Sequence, residues 1–360
     1  MFEKLSCVRV GDGHVASLHE KIFRDLEIET VGIIDPDPVK QKEAAKRGIK
    51  VCYFDQAAEL KPFFWDICCP TKYHVETIKT IVEIDNSANI IVEKPICESG
   101  EIKTFIDLLN RFSGKLVVNE NYLSSSVTEK IKQVILCMEL SPNRVVSEMT
   151  KNRINDFING RFLDNHFYAF GYEGSHIVTN VMALGDEYIP EKIGNMFYGD
   201  LCIDLNGKKQ YLPKQAMVEK HYRAVNNADV VLYTSMEGNI KYFFPGYSQQ
   251  HFWKAPEDPH TRYRVLAVED HSKGITVAGF YEPILGHNRR EGRVVVLKNG
   301  IIKTIISPIF DDTMSKSLKN AIEYFQEKRD NPCSARVAMD IVSFLNLWYK
   351  KNNTTMIGLN

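Results

Sequence analysis

Asn89-Ile90-Ile91-Val92-Glu93-Lys94-Pro95 decides the fold. Its first four residues are too apolar and β-branched for a solvated segment and read as a buried parallel strand. The charged pair and proline stop that strand at its carboxyl end, where open α/β sheets bind their ligands, and leave Lys94 aimed into the crevice. Upstream, Cys7-Val8-Arg9-Val10 runs as a strand into Gly11-Asp12-Gly13-His14-Val15-Ala16. A helix follows from Ser17, with Leu18, Ile22, Phe23 and Leu26 on one face. Thr30-Val31-Gly32-Ile33-Ile34 is the second strand and ends at Asp35. A helix from Pro38 to Gly48, a short edge strand at Val51-Cys52-Tyr53-Phe54 and a strand at Trp65-Asp66-Ile67-Cys68-Cys69 continue the alternation. Leu116-Val117-Val118 closes it as a sixth strand. Strands alternating with helices imply βαβ units and a doubly wound parallel sheet of the Rossmann type.

Around Ser124-Ser125-Ser126 the rhythm changes. A helix at Val127 to Glu139 leads to Arg144-Val145-Val146-Ser147-Glu148-Met149. Antiparallel strands are then expected at Val230 to Tyr233, Lys241 to Phe244, Tyr263 to Val268, Ile275 to Tyr281 and Val294 to Leu297. Asn299-Gly300 marks a tight hairpin, and two helices, about Asp312 to Lys328 and Ala335 to Lys350, end the chain. The expected layout is a dinucleotide-binding domain at residues 1–123. Residues 124–360 would form an α+β domain with an open, mainly antiparallel sheet, serving substrate binding and oligomerisation.

The 360 residues carry a net charge of −1 and are 44% hydrophobic and 25% charged, as in an ordinary globular protein. That balance offers no electrostatic footprint for nucleic acid or for an anionic membrane, so small molecules and further copies of the chain are the expected partners. The eight cysteines form no C-x-x-C pair and several sit in apolar runs. They read as free thiols of a reducing, cytoplasmic compartment, with no metal site.

The G-x-G-x-x-G/A spacing gains weight from its context: a strand before, a helix after, and Asp35 at the end of the second strand. Gly11 allows the tight turn, and Gly13 lets the backbone approach a pyrophosphate, with His14 and Val15 opening the helix beneath it. Asp35 would accept hydrogen bonds from the adenosine ribose and repel a 2′-phosphate, and no arginine follows it in Pro36-Asp37-Pro38. NAD(H) is therefore expected in preference to NADP(H), which stays possible.

With these residues assembled, the chain resembles the family of glucose–fructose oxidoreductase and inositol dehydrogenase. Gly11 through His19 meets the pattern G-x-G-x-x-G-x-x-H with alanine at the third glycine. Pro70-Thr71-x-x-His74 is similar to the family's cofactor-side T-P-x-x-x-H region, and Val92-Glu93-Lys94-Pro95 to its most specific short motif. Asn119-Glu120-Asn121-Tyr122 resembles the segment that enters the substrate domain. The likeness is close to about residue 123 and thins beyond. There Tyr172-Glu173-Gly174-Ser175-His176-Ile177-Val178-Thr179 aligns with D-x-G-x-H-x-x-D, both aspartates being replaced.

The resemblance implies an NAD(H)-dependent oxidoreductase moving a hydride to or from a hydroxyl or keto carbon of a sugar, cyclitol or sugar derivative, sugar nucleotides included. Catalysis would rest on Lys94, which stabilises the developing alkoxide, and His176, which exchanges the proton, with Tyr172 as a donor or as packing. Gly11, Gly13, His14, Val15, Asp35, Pro70, Thr71, His74, Glu93, Lys94 and Asn121 would hold the cofactor, Glu93 orienting Lys94 or the nicotinamide ribose. Relatives of the fold leave two alternatives open: lysis of a glycosidic bond through transient oxidation by tightly held NAD, and cofactor sensing without catalysis. A homodimer or homotetramer is expected on the exposed sheet face. His166, Arg153 and Arg161 read as solvated loop residues, with a role towards the substrate as the alternative.

Overall fold

The computed structural model describes residues 5–160, 164, 167–205, 207–247, 262–282 and 290–356, residues 348–356 by their backbone alone. Two compact units emerge: residues 1–124 with 314–343, and residues 125–313 with 344–360.

In the first unit the alternation of apolar runs and helical periods builds β1 (Ser6–Val10), α1 (His14–Asp25), β2 (Glu29–Ile34), α2 (Pro38–Lys46), β3 (Lys50–Val51), α3 (Phe54–Ala58), β4 (Phe64–Ile67), α4 (His74–Ile84), β5 (Asn89–Glu93), α5 (Ile102–Leu109) and β6 (Lys115–Asn119). The strands pair in parallel in the order β3-β2-β1-β4-β5-β6, the doubly wound arrangement. Only Lys50 and Val51 pair with the sheet at its edge; Phe54, expected in that strand, begins α3.

The second unit contains α6 (Ser126–Cys137), β7 (Arg144–Lys151), α7 (Ile154–Ile158), α8 (Phe170–Met182), β8 (Pro190–Leu205), β9 (Lys208–Ala224), β10 (Asp229–Ser235), β11 (Arg262–Asp270), β12 (Ile275–Phe280), β13 (Glu291–Lys298) and β14 (Ile301–Phe310). Its strands form one sheet in the order β14-β13-β12-β11-β7-β10-β9-β8, antiparallel except where β10 runs parallel to β7. At the β13–β14 turn Asn299 (φ 49°) and Gly300 (φ 76°) both take the left-handed conformation that a tight two-residue hairpin requires.

Two findings differ from the sequence reading of this half. Lys241 to Phe244 is no strand. The backbone N–H groups of Lys241 and Tyr242 donate to the Glu148 carboxylate at 3.0 and 2.7 Å, which removes them from any ladder. Ile240, Tyr242, Phe244 and Tyr247 instead pack over Val146, Val265, Phe280 and Val295, so the chain itself covers part of the sheet face expected to be bare. The long β8–β9 hairpin also went unread.

The chain then continues as α9 (Thr313–Phe325) and α10 (Ala335–Met356). Leu318, Ala321, Ile322 and Phe325 of α9 join Ile22, Phe23, Phe64, Ile91 and Val117 on one face of the parallel sheet. Cys333, Ala335, Ala338 and Val342 join the core on its other face with Trp65, Ile78, Ile90 and Phe105. Residues 314–343, expected within the second domain, thus supply cover to the first, because a parallel sheet must bury both faces.

Candidate functional site

The glycine turn after β1 is shaped by close approach. Gly11 has φ +88°, and a Cβ there would stand 2.7 Å from the backbone nitrogen of Cys69 and 2.9 Å from its Cα, so only glycine fits. Its N–H donates to the Ile34 carbonyl at 2.8 Å. Gly13 differs: it precedes α1, is exposed, and has no atom within 4 Å of where a Cβ would be. No side chain caps α1, so the N–H groups at its start, around exposed His14 and half-buried Val15, keep their capacity for an anion.

Asp35 closes the turn from β2. Its two carboxylate oxygens accept the N–H of Asp12 at 2.7 Å and of Asp37 at 2.8 Å, which fixes the carboxylate at the strand end with lone pairs to spare. Asp12, beside the turn, aims its side chain inward: it pairs with Arg47, and Arg9 stands 3.7 Å away. That pairing directs its charge away from the exposed backbone of Gly13.

Beneath the turn lies a buried ionic network that the sequence reading did not assemble. Arg9 donates to Asp66 at 3.1 Å and to Glu20 at 3.0 Å. His19 sets Nδ1 2.9 Å from Asp66 and Nε2 3.0 Å from Glu93, and Asn119 donates to the same Glu93 oxygen. A neutral imidazole has one N–H, so two carboxylate partners select the imidazolium. Burial opposes that charge, but Asp66 and the Cys68 sulfur outweigh it and hold the His19 pKa well above its ordinary value. His19 therefore orients the carboxylate of Glu93, next to Lys94. Two signals could have revealed it: the last position of the glycine pattern is histidine, and Asp66 interrupts an apolar strand, which a carboxylate does only when paired.

Glu93 and Lys94 are half-buried at the end of β5. The Lys94 ammonium makes no hydrogen bond or ion pair among the described residues, unlike the carboxylate beside it. His74, expected on the cofactor side, is 1% exposed and turned into the protein. Its Nδ1 lies 2.9 Å from the Pro95 carbonyl and its Nε2 2.8 Å from that of Cys69, so it ties the ends of β4 and β5 together behind Lys94. Burial lowers its pKa, against the pull of those carbonyls. Pro70 is exposed and Thr71 half-buried at the turn after β4; Asn121 is half-buried at the turn after β6.

In the second unit Tyr172 and His176 share one side of α8, and both are half-buried. The Tyr172 hydroxyl accepts the Asp164 N–H at 2.9 Å, and its ring meets Phe157 edge-on at 5.8 Å with the Arg153 guanidinium 5.7 Å from its centre. Those contacts describe a packed side chain. Glu173, buried between them on the helix, pairs with Arg153 and, at 3.1 Å, with Arg264. Burial alone would raise its pKa; Arg264, Arg153 and His176 hold it well below the usual carboxylate range. Arg153, expected in a solvated loop, is therefore a buried ion-pair partner of Glu173. His166 and Arg161 lie outside the described residues.

No family model matches the chain, and no curated protein matches it in sequence. Solved structures do resemble it along nearly its whole length. A structure from Desulfitobacterium hafniense assigned as an NADPH-dependent oxidoreductase superposes with a TM-score of 0.71 at 10% identity, covering 97% of each chain. An oxidoreductase from Agrobacterium radiobacter, solved with NAD+, L-tartaric acid and magnesium, gives 0.68 at 13% identity and 96% of each chain. UDP-N-acetylglucosamine 3-dehydrogenase from Acidithiobacillus ferrooxidans gives 0.63 at 10% identity and 95% of each chain. At such identities the likeness establishes a common fold. No helix among the described residues is long and apolar enough to cross a membrane.

Proposed function

We propose that this chain is an NAD(H)-dependent oxidoreductase acting on a hydroxyl or keto carbon of a sugar, cyclitol or sugar derivative. The observation that carries the reading is the turn itself. Gly11 is pressed against Cys69, Gly13 lies open at an uncapped helix start, and the Asp35 carboxylate is fixed at the neighbouring strand end. These residues fit a dinucleotide. The backbone from Gly11 to Val15 would receive the pyrophosphate, and Asp35 would accept from the adenosine ribose and repel a 2′-phosphate. The nicotinamide supplies the hydride acceptor or donor. Thr71, Glu93 and Asn121 stand at the ends of neighbouring strands, where the remainder of such a cofactor would lie.

Lys94, whose ammonium has no partner among the described residues, would polarise the substrate oxygen, stabilising negative charge as it develops. His176, with the carboxylate of Glu173 one turn before it on α8, would take or return the hydroxyl proton. The L-tartaric acid bound to the Agrobacterium protein and the sugar-nucleotide activity of the Acidithiobacillus protein favour a polyhydroxylated substrate.

The test is turnover on a substrate found by screening polyols and sugars with NAD+. Lys94→Ala and His176→Ala should each lower kcat by about 100-fold or more, the usual scale for such groups, while NADH affinity changes little. Tyr172→Phe removes one hydroxyl from a packed ring and should cost less than about tenfold. Near-normal turnover in both alanine variants would overturn the reading.

A further inference from the structure

Four cationic side chains converge where β7 ends and β11 begins. Lys151 lies directly opposite Arg262 in the antiparallel register, Arg264 lies opposite Met149, and Arg153 follows two residues after Lys151. Strand alternation places Lys151, Arg262 and Arg264 on the face that carries α8. Ser147, on that face, donates to the Ile177 carbonyl of the helix at 3.3 Å, and Arg264 reaches Glu173 of the same helix.

Among the described residues, three carboxylates meet this group. Glu173 takes Arg153 and Arg264, Asp156 lies 3.1 Å from Arg153, and Glu282 lies 3.6 Å from Arg264. Lys151 is served worst. It makes no hydrogen bond among the described residues, and its nearest carboxylate is Asp156 at 4.0 Å. Burial, Arg153 and Arg262 push its pKa down to about 8, against the pull of Asp156 and Glu173. The Nε of buried Arg153 has no hydrogen-bond partner among the described residues. A half-buried cation beside like charges gains from an added anion more than a solvated one does. Such an anion would lie beside the helix that carries His176, whose charge interacts with Glu173 one turn earlier.

We propose that Lys151, which lies opposite Arg262 in the register, binds an anionic group of the substrate, a carboxylate or a phosphate. The substrate class is then an acidic sugar, a polyhydroxy acid or a sugar phosphate in preference to a neutral polyol. This rests on the preceding reading insofar as it takes His176 to act on the same molecule. Arg153 and Arg264 are already committed to Glu173 and act as supports that hold the site together.

Isothermal titration of the full chain tests this, in the presence and absence of NADH. L-tartrate, D-glucuronate and D-glucose 6-phosphate serve as anionic probes, with D-glucose and myo-inositol as neutral ones. At least one anionic probe should bind about tenfold or more tightly than either neutral one and weaken as salt rises. Lys151→Met should weaken that probe about tenfold or more and Lys151→Arg should retain it, with melting temperature and NADH affinity unchanged in both. Comparison of the carboxylates with the phosphate decides which anion the site takes. Equal binding of neutral and anionic probes, no binding of any anion, or unchanged affinity in a folded Lys151→Met would overturn the proposal. Failure of the wild-type chain to bind NADH would instead overturn the dinucleotide reading, and Lys151-dependent anion binding would survive it.

Discussion

Gly11 and Gly13 stand two residues apart in one turn, yet alanine should act on them in opposite ways. At Gly11 the added methyl meets the backbone of Cys69 at 2.7 and 2.9 Å, where no side-chain rotation can relieve it, and the φ of +88° strains any L-residue. The dihedral costs about 1–3 kcal/mol, and the forced repacking about 1–3 kcal/mol more. For a unit of this size each kcal/mol lowers Tm by about 2–4 °C, so Gly11→Ala should melt on the order of 5–20 °C below the wild type. At Gly13 the backbone is extended (φ −82°, ψ −165°) and the space is open, so Gly13→Ala should fold normally with Tm unchanged or slightly raised. Its methyl would occupy the surface proposed to receive the pyrophosphate, and NADH affinity should fall about 10–100-fold, or ~1.4–2.7 kcal/mol. Differential scanning calorimetry and NADH titration read the two effects separately. A Gly13→Ala protein that binds NADH like the wild type would refute the placement of the phosphates, and a Gly11→Ala protein of wild-type stability would refute the strained contact.

Glu173→Gln leaves Arg153 and Arg264 buried without their carboxylate, a loss of about 3–5 kcal/mol, and should lower Tm at neutral pH by on the order of 6–20 °C. Because the Glu173 pKa is depressed in the folded protein, its contribution is complete above the unfolded value of about 4.3 and is lost as the pH falls further. The gap between variant and wild type should therefore be constant through neutrality and shrink in acid, as calorimetry against pH would show; a pH-independent gap would exclude the ionised carboxylate as its source. Association is expected through β14, where Ile301, Ile305 and Phe310 are exposed on an edge strand. Light scattering should give a dimer or tetramer that Ile305→Lys shifts towards monomer; a monomeric wild type would mean that residues 240–247 already cover enough of the sheet.

Local patterns carried much of the fold. The six parallel strands, Glu93-Lys94-Pro95 and the Asn299-Gly300 hairpin were legible because strand period, proline and left-handed turn residues act within a few positions. What was missed depends on distant partners. Lys241 to Phe244 has strand composition, but the Glu148 side chain takes its N–H groups. The β8–β9 hairpin went unread although Asn206-Gly207 stands between its strands, because the polar runs on either side break the apolar alternation. The apolar face of α9 could belong to either unit by sequence, and its contact with Phe23 and Phe64 is visible only in three dimensions. At the candidate site, the strand end at Glu93-Lys94-Pro95 was legible from its motif, whereas the support of Glu93 by His19, 74 residues earlier, was not. Arg153 looked solvated for the same reason, since Glu173 lies a helix away.

Calorimetric titration of the purified chain with NADH and then NADPH tests the central claim most directly. Saturable binding of NADH in the micromolar-to-millimolar range usual for enzyme ligands is expected. NADPH should bind about tenfold or more weakly, because on the proposed reading the Asp35 carboxylate, fixed at the end of β2, repels the 2′-phosphate. Absence of binding by either nucleotide would contradict the account.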